Sequence, residues 1–128
     1  MNGKILLDTN AILGIFKGLA SIAALLDDAE KEVYVSVITR MELLSFHSVT
    51  IEQEKQIRDF LDMVYIVPLN ADVEETAIQI RRVTRRKMPD SIVAASAIVS
   101  NAILITYDRE LANTNFPGLK ICMPENPV

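Results

Sequence analysis

The sequence predicts an α/β fold: a single domain over residues 1–128 built on a mostly parallel sheet of about five strands, with helices on both faces. Three observations predict it. Short continuous apolar runs such as Lys4-Ile5-Leu6-Leu7 have the pattern of strands buried on both faces. The stretches between them carry apolar residues at helical spacing. No repeat, low-complexity stretch or linker interrupts the alternation.

The elements follow in order. Lys4 to Leu7 reads as the first strand, broken by Asp8-Thr9-Asn10, after which Ala11 to Phe16 begins a short helix that stops before Gly18. From Leu19 to Glu30 the residues Ile22, Leu25, Leu26 and Ala29 keep helical spacing, with Asp27, Asp28 and Glu30 opposite. Val33 to Val37 is β-branched and aromatic, the composition of a second strand. Thr39 to His47 reads as a helix. Thr50 caps the next one, with Gln53 at the capping-box position and Ile51, Ile57, Phe60, Leu61 and Val64 turned inward.

Tyr65-Ile66-Val67 is the third strand, ended by Pro68. Asn70 caps a long helix through Val73, Ala77, Ile80 and Val83 that runs into Arg85-Arg86-Lys87. Pro89 suits the first turn of a helix from Asp90 to about Ser100, and Asn101 suits its stop. Ala102 to Ile105 is the fourth strand and Asp108 to Ala112 one helical turn. Pro117-Gly118 turns the chain into a fifth strand, Leu119 to Met123.

Composition narrows the function classes. Half the residues are hydrophobic and the net charge is only −4, which excludes disorder. A single cysteine, Cys122, excludes a disulfide scaffold and points to a reducing, cytoplasmic compartment. No apolar run reaches the ~18 residues of a membrane helix, and the start MNGKILLD does not read as a signal peptide. With 13 basic residues against 17 acidic ones, the chain also lacks the excess positive charge of a simple nucleic-acid-binding module.

Ligands of open parallel sheets bind beyond the carboxyl ends of the strands. Asp8 follows the first strand and Asp108 the fourth; Glu42 lies about a helical turn past the second, and Asp90 opens the helix leading into the fourth. Four carboxylates are thus assigned to one sheet edge, with no Lys, His or Ser nucleophile at those positions. Taken singly, each acid has a structural explanation. Asp8 and Asp108 suit helix N-caps, Glu42 lies at capping-box spacing from Thr39, and Asp90 sits where a helix dipole favours negative charge. Their conjunction is harder to explain that way, because clustered carboxylates repel one another unless a cation joins them.

An all-oxygen ligand set selects Mg²⁺ or Mn²⁺ over zinc. Such a centre suits phosphoryl chemistry: it activates water and stabilises charge on phosphate oxygens, a task that two ions about 3.5–4 Å apart can share. Thr106, Thr9 and Asn10 offer polar groups to orient a carboxylate or the water, and equally suit turns after strands.

Asp8-Thr9-Asn10, the acid in Thr39-Arg40-Met41-Glu42-Leu43-Leu44, Pro89-Asp90-Ser91-Ile92-Val93-Ala94-Ala95 and Thr106-Tyr107-Asp108 together resemble the PIN-domain ribonucleases, and among them the VapC-type toxins of toxin–antitoxin pairs. The resemblance runs from Lys4 to about Met123 and keeps the order of the motifs. The Pro-Asp-x-Ile-x-Ala-Ala segment is the most specific of them. It implies an α/β/α sandwich and Mg²⁺- or Mn²⁺-dependent endonucleolytic cleavage of RNA. It also implies homodimerisation and inhibition by a cognate antitoxin. Carried over by motif, Asp8, Glu42, Asp90 and Asp108 become the catalytic, metal-binding acids and Thr106 a supporting hydroxyl. Glu110 adds an acid at a place where the family varies, either an auxiliary ligand or a solvated helix residue.

Arg81, Arg82, Arg85, Arg86 and Lys87 put five positive charges into seven residues just before Pro89-Asp90. The helix dipole favours cations there. A helix continued through them turns Arg82 and Arg86 away from the core and swings Lys87 back. Lys87 and Arg86 are the expected RNA-phosphate contacts beside the acidic site. His47 reads as a surface or capping residue, Cys122 as buried, and Met41 and Met63 as packing.

Two rivals remain. One is a non-catalytic PIN module that binds RNA or a protein. The other is a receiver-type regulatory domain, which needs paired acids after the first strand and a phosphorylatable Asp after the middle one; neither is present. On the metal-dependent reading, two bound divalent cations bring the formal charge of −4 to zero and turn the pocket attractive to phosphate.

Overall fold

The computed structural model describes residues 3–18 and 31–124. The helix expected over Leu19–Glu30 lies outside the described residues. Five strands form one sheet: β1 (Lys4–Leu7), β2 (Glu32–Ser36), β3 (Tyr65–Val67), β4 (Ile103–Ile105) and β5 (Ile121–Cys122). All pairings are parallel and the order is β3-β2-β1-β4-β5. The described helices are α1 (Thr9–Phe16), α2 (Val37–Leu44), α3 (Ile51–Asp62), α4 (Ala71–Thr84), α5 (Met88–Val99) and α6 (Arg109–Ala112).

The pleat sends alternate residues of the central strands into two cores. Leu6 and Leu104, opposite each other in register, face α4 and α5 through Val73, Ala77, Ile80, Val93 and Ala94. Ile5, Leu7 and Ile105 face the other way, towards Ala11, Ile12, Leu43, Ile57 and Leu61 of α1, α2 and α3. Burial on both faces makes the α/β/α sandwich that the resemblance implies, with helices on both sides of a parallel sheet as the alternation of elements predicts.

Several local expectations hold atom by atom. Thr50 and Gln53 form the reciprocal capping box at 2.9 and 3.1 Å. Asn101 takes a left-handed φ of 55°, its N–H bonding Ile98 O and that of Ala102 bonding Ala97 O, which closes α5. Pro89 lies in the first turn of α5.

Others are corrected. Val37 begins α2 rather than ending β2, because the Ser36 hydroxyl caps it by accepting from Ile38 N at 3.2 Å. Thr39 is therefore an interior helix residue, and Glu42 is not at a capping-box position. The helix α4 ends at Thr84, where Arg85 turns left-handed at φ 61°; Arg86 and Lys87 belong to an elbow, and the helical projection does not apply to them. Ile51, Met63, Met41 and Val83 are exposed, the first two because they stand at the ends of α3. Cys122 is exposed in the two-residue edge strand β5. Among the described residues no helix is long and apolar enough to cross a membrane.

Candidate active site

The strand order has a switch point. From β1 the chain steps outward through β2 to β3, then returns to the other side of β1 for β4 and β5. Connections leaving β1 and β4 diverge, and a crevice opens at their carboxyl ends. A cavity of about 240 Å³ occupies it, lined by Asp8, Thr9, Asn10, Glu42, Asp90, Val93, Asp108 and Leu111. All four sequence-predicted carboxylates, with Thr9 and Asn10, line this one cavity.

Asp8 is buried as the N-cap of α1, where its Oδ1 accepts from Ala11 N at 2.8 Å. The fully buried Thr106 hydroxyl donates to Asp8 Oδ2. The same hydroxyl accepts from Asp108 N at 2.9 Å, so Thr106 joins the acids that follow β1 and β4. Asp108 caps α6 through one oxygen, Oδ1, which accepts from Glu110 N at 2.9 Å and Leu111 N at 3.3 Å. Glu42 is exposed on α2, and its Oε1 accepts from Thr9 Oγ1 at 2.8 Å. The side chain of Asp90, in the first turn of α5, makes no hydrogen bond among the described residues.

Electrostatics tie these acids together. Burial pushes the Asp8 carboxyl up, against the hydrogen bonds from Thr106 and Ala11, and the charges of Asp108 and Asp90 push the same way. Asp90 is likewise raised, first by burial and then by Asp108 and Glu42, while Lys87 and Arg86 oppose. Lys87 and Arg86 of the elbow thus act on the acidic cavity. Lys87 is exposed; Arg86 is half-buried, its Nε donating to Thr114 Oγ1 at 3.0 Å. Glu110 is exposed beside Asp108 and does not line the cavity.

The donor chemistry fits a hard divalent cation: every polar side chain lining the cavity offers oxygen, and burial, with repulsion behind it, raises two of the acids. The spacing is looser than a coordination shell. Among the described residues no three His, Cys, Asp or Glu side chains stand close enough to hold a metal ion as placed. Both Asp8 oxygens are engaged by protein donors. A second cavity, of about 230 Å³, lies between α1 and α3 beside Leu13, Phe16, Phe46 and Ile57 and has no ionisable lining residue.

Sequence reasoning missed three contributors. Val93 and Leu111 form apolar parts of the cavity wall, and their position three residues after Asp90 and Asp108 was a usable signal, since i and i+3 share a helix face. Thr114, the partner of Arg86, lies 28 residues away and has no local signature.

Fold and cavity together define an α/β/α sandwich protein with an acidic pocket at the switch point of its sheet. The chain belongs to the PIN-domain family, whose profile matches residues 5–117. Solved structures agree. A toxin–antitoxin complex from Klebsiella pneumoniae superposes with a TM-score of 0.80 at 27% identity, covering 96% of this chain and 99% of that one. VapBC-1 from nontypeable Haemophilus influenzae gives 0.79 at 22% identity, with 93% and 96% covered. VapBC2 from Rickettsia felis, bound to a promoter DNA fragment, gives 0.76 at 20%, with 95% and 99% covered. Among curated proteins none matches the chain significantly.

Proposed function

We propose that the chain is a Mg²⁺- or Mn²⁺-dependent endoribonuclease that hydrolyses RNA phosphodiester bonds, and the toxin of a type II toxin–antitoxin pair. The observation that carries the reading is the convergence of Asp8, Glu42, Asp90 and Asp108 on one cavity, with Thr106 bridging two of them. Membership of the PIN-domain family supports nuclease chemistry in general. The Klebsiella structure, a toxin–antitoxin complex, supports a cognate antitoxin as partner. Homodimerisation and a cytoplasmic location belong to the same reading.

Asp8, Asp90 and Asp108 would hold the ion, and Glu42 would help hold a second or orient the attacking water. A bound divalent cation supplies Lewis acidity at the phosphate and lowers the pKa of water. Thr106 keeps Asp8 and Asp108 in register, Thr9 steadies Glu42, and Asn10 presents its amide at the rim. Lys87 and Arg86, beside Asp90, hold the RNA phosphates.

The test is cleavage of an RNA panel by purified protein with Mn²⁺ or Mg²⁺, with and without chelator, beside Asp8→Asn and Asp90→Asn. Metal-dependent cleavage lost in both variants is expected. Wild-type protein that binds RNA and cuts no transcript would overturn the enzyme in favour of a binding module. A short antitoxin-like reading frame beside the gene is the expected genomic companion.

A further inference from the structure

The elbow between α4 and α5 is held by more bonds than a connection of three residues needs. Arg85 is left-handed without being glycine, a backbone state that side chains disfavour and that its surroundings must maintain. The Arg86 N–H donates to Thr84 Oγ1 at 3.2 Å. Its carbonyl accepts from Arg81 Nη1 at 2.7 Å and from the buried Ser91 hydroxyl at 3.4 Å. Its side chain leaves the elbow, and Nε donates to Thr114 Oγ1 at 3.0 Å. Thr114 is buried just past α6, where its N–H bonds Leu111 O at 3.1 Å and its hydroxyl donates to Glu110 O at 3.3 Å.

The two ends of this bridge matter because of what each carries. Asp90 stands four residues after Arg86, in the first turn of α5. Asp108 caps α6, and Thr114 follows its C-cap Asn113. The two carboxylates repel, and the Asp90 side chain makes no hydrogen bond among the described residues. On this side of the cavity Val93 and Leu111 share one buried core, and the bond from Arg86 to Thr114 adds a polar link between the two segments.

We propose that Arg86 and Thr114 are a positioning pair whose hydrogen bond sets the distance between Asp90 and Asp108, and with it the affinity of the acidic cavity for a divalent cation. This rests on the reading of the cavity as a metal centre. It gives Arg86 a role separate from phosphate contact, since Nε is turned to Thr114 while the remaining guanidinium N–H groups make no hydrogen bond among the described residues.

Mn²⁺ affinity of the full chain, followed by the electron paramagnetic resonance signal of free Mn²⁺, is the readout. Thr114→Val keeps the shape and removes the acceptor, and should weaken Mn²⁺ binding about tenfold, the size of effect seen when a group orienting a ligand is lost. Thr114→Ser should restore it to within about twofold. A merely structural role would lower the Tm of the metal-free protein and leave the affinity of the folded fraction unchanged. Thr114→Val that folds and binds Mn²⁺ within about twofold of wild type overturns the proposal. If Thr114→Val does not fold, Arg86→Lys decides by the same criterion, because it keeps the charge and loses the Nε geometry. Wild-type protein that binds no Mn²⁺ overturns the metal-centre reading itself, a failure distinct from equal binding by wild type and variant.

Discussion

The four carboxylates of the cavity fall into two pairs. Asp8 and Asp108 directly follow central strands, cap the helices that begin there, and share the Thr106 hydroxyl. Glu42 and Asp90 ride on helices and cap nothing: α2 is capped by Ser36, and α5 has no side-chain cap. Capping explains the strand-end acids completely, so their presence alone says little about function. The helix-borne acids have no such explanation. Asp90 is half-buried, its side chain makes no hydrogen bond among the described residues, and burial and two other carboxylates raise it against Lys87 and Arg86, an arrangement that a bound cation would relieve.

The two pairs should differ most in what they contribute to stability. Asp8→Ala removes an N-cap and strands a buried hydroxyl, and should cost about 1–3 kcal/mol. Asp90→Ala should leave stability within about 0.5 kcal/mol, as at sites without structural bonds. Denaturant unfolding of the metal-free proteins measures both. Equal losses would erase the distinction between the pairs.

One acid of each pair should also make stability depend on pH. Asp8 and Asp90 both have folded-state pKa values raised above 3.8, so the folded protein holds these protons to higher pH than the unfolded chain. Their contribution is fully present below the unfolded value and is lost as pH rises through the folded one. Metal-free protein should therefore lose Tm as pH rises from about 4 towards neutral through these two groups. Asp90→Asn should flatten that dependence, and Mn²⁺ should raise Tm most at neutral pH. A Tm that is insensitive to Asp90→Asn over this range would refute the assignment.

The smallest effect belongs to the elbow. Lys87→Ala should reduce the salt slope of single-stranded RNA binding by about 0.7, and the double change with Arg86→Ala by up to about 1.4. An unchanged slope in filter-binding titrations would remove both residues from the RNA path.

The two pairs also differ in how they could be read. Asp8 and Asp108 are legible because an apolar strand followed at once by an acid is a local pattern, and a parallel sheet puts all such junctions on one edge. Thr50, Asn70 and Asn101 were legible for the same reason, each acting within a few residues. Local patterns misled where a neighbour competed. Val37 has the β-branched character of a strand residue, but the Ser36 hydroxyl starts a helix there. Arg86 and Lys87 continue a helical pattern that Arg85 ends by turning left-handed. Ile51 and Met63 match an apolar stripe but stand at the ends of α3, beyond the reach of the core.

By itself the sequence determined the alternation of strands and helices, the edge on which polar junctions gather, and most helix caps, because these depend on bonds spanning a few residues. The tertiary structure alone decided the strand order, hence the switch point beside β1 and β4, and the joining of Asp8 to Asp108 through Thr106. It alone decided that Arg86 reaches Thr114. Those contacts join residues far apart in the chain, and their formation depends on how the two layers of helices pack against the sheet rather than on any spacing that a linear pattern can carry.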